Sequence, residues 1–121
     1  MTTIDNIEFH DLLAGFVRIH ILHHAAEGEV YGQWLIEELG RHGYRISPGT
    51  LYPMLQAMEE RGYLASREDS DGRLGRRRKV YTATMEGRKG LEVARMRLRE
   101  LTGEVRHKNE HAPDDEAPHE D

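Results

Sequence analysis

At 121 residues, 37% of them apolar, the chain has room for one domain with a modest core and much exposed surface. The absence of cysteine excludes disulfides, a thiol nucleophile and thiolate metal sites. No apolar run approaches the roughly 18 residues of a membrane span, and Met1 to Asp11 carries Asp5, Glu8 and Asp11 where a secretory leader would be basic, so a soluble cytoplasmic protein is expected.

The net charge of −5 conceals a segregation along the chain. Met1 to Glu60 holds only Arg18, Arg41 and Arg45 against nine carboxylates, whereas Arg61 to Arg106 holds thirteen basic residues against seven acidic ones. From His107 the composition becomes "HKNEHAPDDEAPHED", polar and carrying six carboxylates against Lys108, which reads as a disordered tail over residues 107–121. Without it the body balances 16 basic against 16 acidic residues.

In chain order, Leu12, Leu13, Phe16, Val17, Ile19, His20, His23 and His24 recur at spacings of three and four, predicting a helix from about Asn6 to Ala26 that stops at Glu27-Gly28. A second helix runs from about Tyr31 to His42 with Leu35, Ile36 and Leu39 inward, and Gly43 ends it. The third lies within "ISPGTLYPMLQAMEERGYL". Ser47 is placed to cap it through its hydroxyl, Pro48 suits the first helical position, and Leu51, Met54, Leu55 and Met58 form the buried stripe up to Arg61-Gly62. Gly49, Thr50, Tyr52, Pro53 and Gln56 then point away from the core near the positive end of the helix dipole, where small residues let the backbone come close to a partner.

Tyr63 to Arg67 and Arg78 to Thr82 read as the strands of a hairpin, joined by a turn over Asp69 to Arg77. Arg73, Arg76, Arg77, Arg78 and Lys79 concentrate at its tip and return strand, a surface suited to phosphate beside a helix N-terminus. Thr84 is the expected N-cap of a last helix from Met85 to about His107. In it Leu91, Ala94, Leu98, Leu101 and Val105 follow a heptad spacing too short for an unaided zipper, so this seam is expected to pack against another subunit, partly on the first helix. The order is therefore mainly α with a small β-hairpin: a winged helix-turn-helix over residues 1–84, a dimerisation helix over 85–106, and the tail.

The runs "YGQWLIEEL", "ISPGTLYPMLQAMEERGYL" and "GRRRKVYTATMEGRKGLE" together resemble the PadR family of transcriptional regulators, over about Leu13 to Leu91. The single C-terminal helix looks like the family's small members. The resemblance implies a homodimeric repressor bound to double-stranded DNA at a palindromic operator, its third helix in the major groove and its wing on the neighbouring backbone. Carried onto this sequence, the DNA-binding residues are Tyr31, Gly32, Ser47, Gly49, Thr50, Tyr52, Gln56, Arg73, Arg76, Arg77, Arg78 and Lys79. The dimer interface comprises Leu12, Phe16, His20, Leu91, Ala94, Leu98, Leu101 and Val105. A small hydrophobic or phenolic effector near that interface is implied for some members, with Phe16, His20 and Met96 as candidate lining. The chain departs from the family in reading Gln33 and Trp34 after Tyr31-Gly32, and Trp34 is read as packing on the C-terminal helix or lining an effector pocket.

His20 and His24, four apart on one helix face beside His23, raise metal binding and pH sensing, but no fixed third ligand is evident in the sequence and no metal or cofactor is assigned. Catalysis finds no motif: there is no phosphate loop or serine elbow, and Glu37-Glu38 and Glu59-Glu60 diverge at successive helical positions. A winged-helix module that binds protein in place of DNA is the alternative function.

Overall fold

The structure, a computed structural model, describes residues 9–70 and 77–111, the last eight of them by backbone alone. The described residues run α1 (His10–Glu27), β1 (Val30–Tyr31), α2 (Gly32–Arg41), α3 (Pro48–Glu60), β2 (Leu64–Ser70), β3 (Arg77–Ala83) and α4 (Met85–His111). The elements follow the winged helix-turn-helix order, with one addition. The hairpin is a three-stranded antiparallel sheet in the order β1-β3-β2. Val30 pairs with Tyr81 and Tyr31 with Val80, while β2 runs in register from Leu64 opposite Ala83 to Ser70 opposite Arg77. A two-residue strand cannot display the alternation by which strands are recognised. The hairpin strands reach to Ser70 and from Arg77, so Asp69, Ser70 and Arg77, expected in the turn, lie in the ladder.

Two of the helices end identically. At the end of α2 Gly43 sits at φ 91°, with the Gly43 N–H on the Gly40 carbonyl at 3.1 Å and the Tyr44 N–H on the Leu39 carbonyl at 3.0 Å. At the end of α3 Gly62 sits at φ 87°, with the Gly62 N–H on Glu59 and the Tyr63 N–H on Met58, both at 2.9 Å. Each glycine supplies the left-handed residue that closes the motif, and each following tyrosine packs against the core. Both helix ends thus turn their orphan carbonyls inward and re-aim the chain in two residues.

The core of the first unit gathers Val17, Ile21 and Ala25 of α1, Leu35 and Leu39 of α2, Leu51, Leu55 and Met58 of α3, and Leu64, Tyr81 and Leu91. On α1 the buried row is Ala14, Val17, Ile21, Leu22 and Ala25. The stripe read from the sequence was displaced: Leu12 is 68% and Phe16 38% exposed. The helix is apolar around most of its circumference, so spacing alone could not select the inward row. Leu91 is likewise withdrawn from the seam, because it is 3% exposed within the core. The described residues through Leu91 form one compact unit and those from Glu92 a second. Helix α4 extends past Arg106 to His111, into the segment assigned to the tail.

Ser47 is the N-cap of α3 in extended backbone, but its hydroxyl makes no cap bond. It donates to the Thr50 hydroxyl at 3.3 Å, and only the Ser47 carbonyl enters the helix, accepting from the Thr50 and Leu51 N–H groups. Thr84 is the opposite case. Its hydroxyl accepts from the Gly87 N–H at 2.9 Å and donates to the Gly62 carbonyl at 2.6 Å, while its own N–H donates to the Tyr63 carbonyl at 3.0 Å. One side chain therefore starts α4 and fastens it to the exit of α3. Thr84→Ala should lower unfolding free energy by about 1–2 kcal/mol, with Thr84→Ser restoring most of it. Urea melts of the three proteins check this.

Candidate nucleic-acid interface

The N-terminal half of α3 departs from ordinary helix chemistry. Pro48 and Pro53 supply no N–H, and Gly49 adds backbone freedom where alanine would be favoured. Nothing in the fold requires that glycine. It has no left-handed φ, and an added Cβ would meet only the Ser47 hydroxyl at 3.9 Å. Gly49 and Gln56 are exposed and Thr50 half-buried, so this surface is shaped small without an internal reason.

Tyr52, on the next turn, reaches the start of α2. Its ring covers Gly32 so closely that a Cβ there would overlap the phenol. The two residues line a cleft of about 640 Å³ together with Tyr31, Gln33, Arg77, Arg78 and Lys79. The sheet register puts those cations there, since Tyr31 of β1 lies opposite Val80 of β3, directly after Lys79. Arg78 lies over the Tyr31 ring with its guanidinium carbon 3.8 Å from the centroid, a cation–π contact that holds it flat. Its Nε is buried and has no hydrogen-bond partner among the described residues.

Acidic residues face this cationic strand. Glu68 lies opposite Lys79 and Asp69 opposite Arg78, and Arg77 donates to Glu68 at 2.7 Å. On the outer strands, Arg67 grips Glu29 with two bonds at 2.8 and 2.7 Å, tying β2 to the residue before β1. Behind the cleft, burial first, and then nearby Glu59 and Tyr52, push the Tyr81 phenol above its ordinary value, so it stays protonated. Ser66 donates to Glu59 at 2.7 Å on the same side.

Of the residues expected at the interface, Tyr31, Gly32, Tyr52, Arg77, Arg78 and Lys79 are brought together in the cleft. Gly49, Thr50 and Gln56 lie along exposed α3 outside it, with Gln56 donating to Glu60 at 3.5 Å. Ser47 borders a separate hollow with Ile36, Tyr44 and Ile46. Arg73 and Arg76 fall outside the described residues. Gln33 was passed over in the sequence, although its place after Gly32 in the first turn of α2 was the available signal.

Of the expected dimer residues, Leu12, Phe16 and Leu101 are exposed, and Ala94 and Leu98 are partly so. The side chain of Val105 is outside the described part. His20 does not face outward with Leu12 and Phe16. Its ring lies 5.1 Å from that of His42 and 5.3 Å from Tyr44, against the end of α2. Trp34 packs against the core and edge-on to His24. Among the described residues no helix is long and apolar enough to cross a membrane.

A family model described as the transcriptional regulator PadR-like family matches residues 21–93. A protein named transcriptional regulator Rv3488, from Mycobacterium tuberculosis, is 55% identical over 89 residues, which cover 74% of this chain and 81% of the relative. The crystal structure of a PadR family transcriptional regulator from Eggerthella lenta superposes with a TM-score of 0.70 at 31% identity, covering 84% of this chain and 88% of the other. That of a PadR-like transcriptional regulator from Bacillus cereus gives a TM-score of 0.70 at 28% identity, covering 80% and 94%.

The Gly32–Tyr52 contact generates a test. Gly32→Ala should swing the exposed end of the Tyr52 ring out of the cleft while changing unfolding free energy by no more than about 1 kcal/mol, because alanine's helical preference offsets lost packing. A crystal structure and a denaturant melt of the variant read the two effects.

Proposed function

The chain belongs to the PadR-like family of transcriptional regulators, proteins that regulate and do not catalyse, and on that premise we propose that it is a homodimeric, sequence-specific DNA-binding repressor working in the cytoplasm. The observation that carries this reading is the joining of two surfaces at Tyr52. One is a helix start kept small at Gly49 and Thr50, and the other is a cleft walled by Arg77, Arg78 and Lys79. The first has the shape to enter a major groove and the second the charge to hold the adjacent phosphates. Arg78, laid on the Tyr31 ring, adds its guanidinium charge to that cleft.

Dimerisation is supported by apolar faces left open on two helices. Helix α1 exposes Leu12 and Phe16 beside its exposed N-cap Phe9, and α4 exposes Val93, Met96 and Leu101. Faces of this kind in one small protein call for a partner, and a second copy provides the two-fold symmetry that a palindromic operator matches. Relief of repression by a small molecule rests on the family resemblance.

The test is a fluorescence-anisotropy titration onto DNA upstream of the protein's own coding region, beside scrambled DNA, at several salt concentrations. Selective binding that saturates at one dimer per site is expected, and equal weak binding to both duplexes would replace this reading with a protein-binding module. In the same assay Lys79→Ala should weaken both duplexes similarly and reduce the slope of log affinity against log salt by about one unit. Gly49→Ala should behave oppositely in stability and affinity. It should stabilise the free protein by roughly 0.5–1 kcal/mol while weakening operator binding at least tenfold, since the added methyl occupies space that the groove needs.

A further inference from the structure

At the far end of α2 from the cleft, α1 and α2 bring four metal-ligand side chains together. His20 and His24 lie four apart on one face of α1, and Glu38 and the C-cap His42 lie four apart on α2. One ring nitrogen from each of His20, His24 and His42 falls within 4.8 Å of the others. The Oε2 atom of Glu38 is 3.3 Å from His42 Nε2 and 3.7 Å from His24 Nε2. Bonds of about 2.0–2.1 Å in a tetrahedral site separate the ligand atoms by roughly 3.3 Å, so side-chain rotation must draw the three imidazoles together, with Glu38 joining them from beside His24 and His42.

We infer that His20, His24, Glu38 and His42 form a binding site for a divalent transition-metal ion of the Zn2+ type, clamping α1 to the end of α2.

Four features favour this over a surface histidine network. The donor set, three imidazoles and one carboxylate, matches a closed four-coordinate zinc site in type and number. The carboxylate is already oriented: Arg41 holds Oε1, leaving Oε2 to face the histidines, the arrangement by which an outer partner fixes a metal ligand. The site has a buried side and an open side, for the side chains of His24 and Glu38 are 14% and 15% exposed and that of His42 47%. An ion can therefore enter and be partly desolvated. Finally, desolvation first and then the neighbouring histidines hold His20 below its ordinary pKa, and desolvation with His23 does the same for His24, which favours the neutral rings that coordinate metal. A second grouping, His23, His24 and Glu27, shares His24 but draws all its donors from one helix, and His23 there sits 3.5 Å from Glu27 as an ordinary side-chain pair.

The test uses the full chain stripped by a chelator and titrated with Zn2+ in competition with a chromophoric chelator, and with Co2+ for its visible spectrum. One Zn2+ per chain is expected, with intense d–d bands for tetrahedral Co2+ and a rise in Tm on adding Zn2+. Substituting His24→Gln or His42→Ala should weaken binding at least about tenfold and remove the Tm rise. Because His42 is exposed, its variant keeps the fold and the result readable. A control in which His107, His111 and His119 are all changed to alanine should bind like the parent. Absence of saturable binding would overturn the inference. So would affinity that follows the C-terminal histidines while His24→Gln and His42→Ala bind unchanged. None of these readouts involves DNA, so the site and the regulatory reading fail or stand separately.

Discussion

Two residues hold the arrangement together. Val30 and Tyr31 pair with Tyr81 and Val80 in the middle of the sheet, making β3 the central strand between the chain's helical half and its hairpin. Without that pairing, α2 and α3 would form one surface and the arginine-rich strand another. With it, Tyr31 is at once the last residue of a strand, the N-cap of α2 and the platform for Arg78. The Arg67–Glu29 bonds reinforce the join from the opposite outer strand, so the cationic cleft is a product of tertiary register, although every residue in it is locally ordinary.

How much of this was legible depends on whether the deciding interaction is local. The buried stripe of α3, the Thr84 cap and the ends at Gly43 and Gly62 could be read directly, because each rests on a period or a backbone rule spanning a few residues. The three-dimensional cleft was half-legible: the cations and Tyr52 stood out by charge and position, whereas Gln33 was signalled only by its place after Gly32. What stayed hidden was set by distant partners. The two residues of β1 cannot show a period. Which row of α1 turns inward is chosen by the other helices, and the Ser47 hydroxyl found a neighbour outside the cap role assigned to it. Leu91 obeyed the heptad spacing and was nonetheless drawn into the core. The side chains that join His20 and His24, Glu38 and His42, lay at the end of another helix, where only a folded structure could reveal them.

The two recurring helix ends explain how so short a chain separates its surfaces. Each Gly-Tyr closes a helix in two residues and anchors the tyrosine in the core, so α2 and α3 meet without a long loop. The same economy places the two ends of α2 in different chemistry. Its start carries Gly32 and Gln33 into the cleft, and its finish carries Glu38 and His42 to α1. A rigid ten-residue helix thus links an aromatic, cationic surface to a histidine cluster through a single body.

The carboxylates opposite the cationic strand bear on how such a protein searches a genome. Glu68 and Asp69 stand across from Lys79 and Arg78, and Glu68 already occupies Arg77. A phosphate at Arg77 must displace Glu68 before it gains that cation. On the proposed reading, that competition lowers the affinity for arbitrary sequence, where charge is nearly the whole attraction, more than for a matched site with shape contacts along α3. With about 10⁶–10⁹ irrelevant sites competing in a genome, a self-shielded wing shortens the time spent on each wrong stop. It keeps a scarce regulator from being soaked up by the bulk of the chromosome.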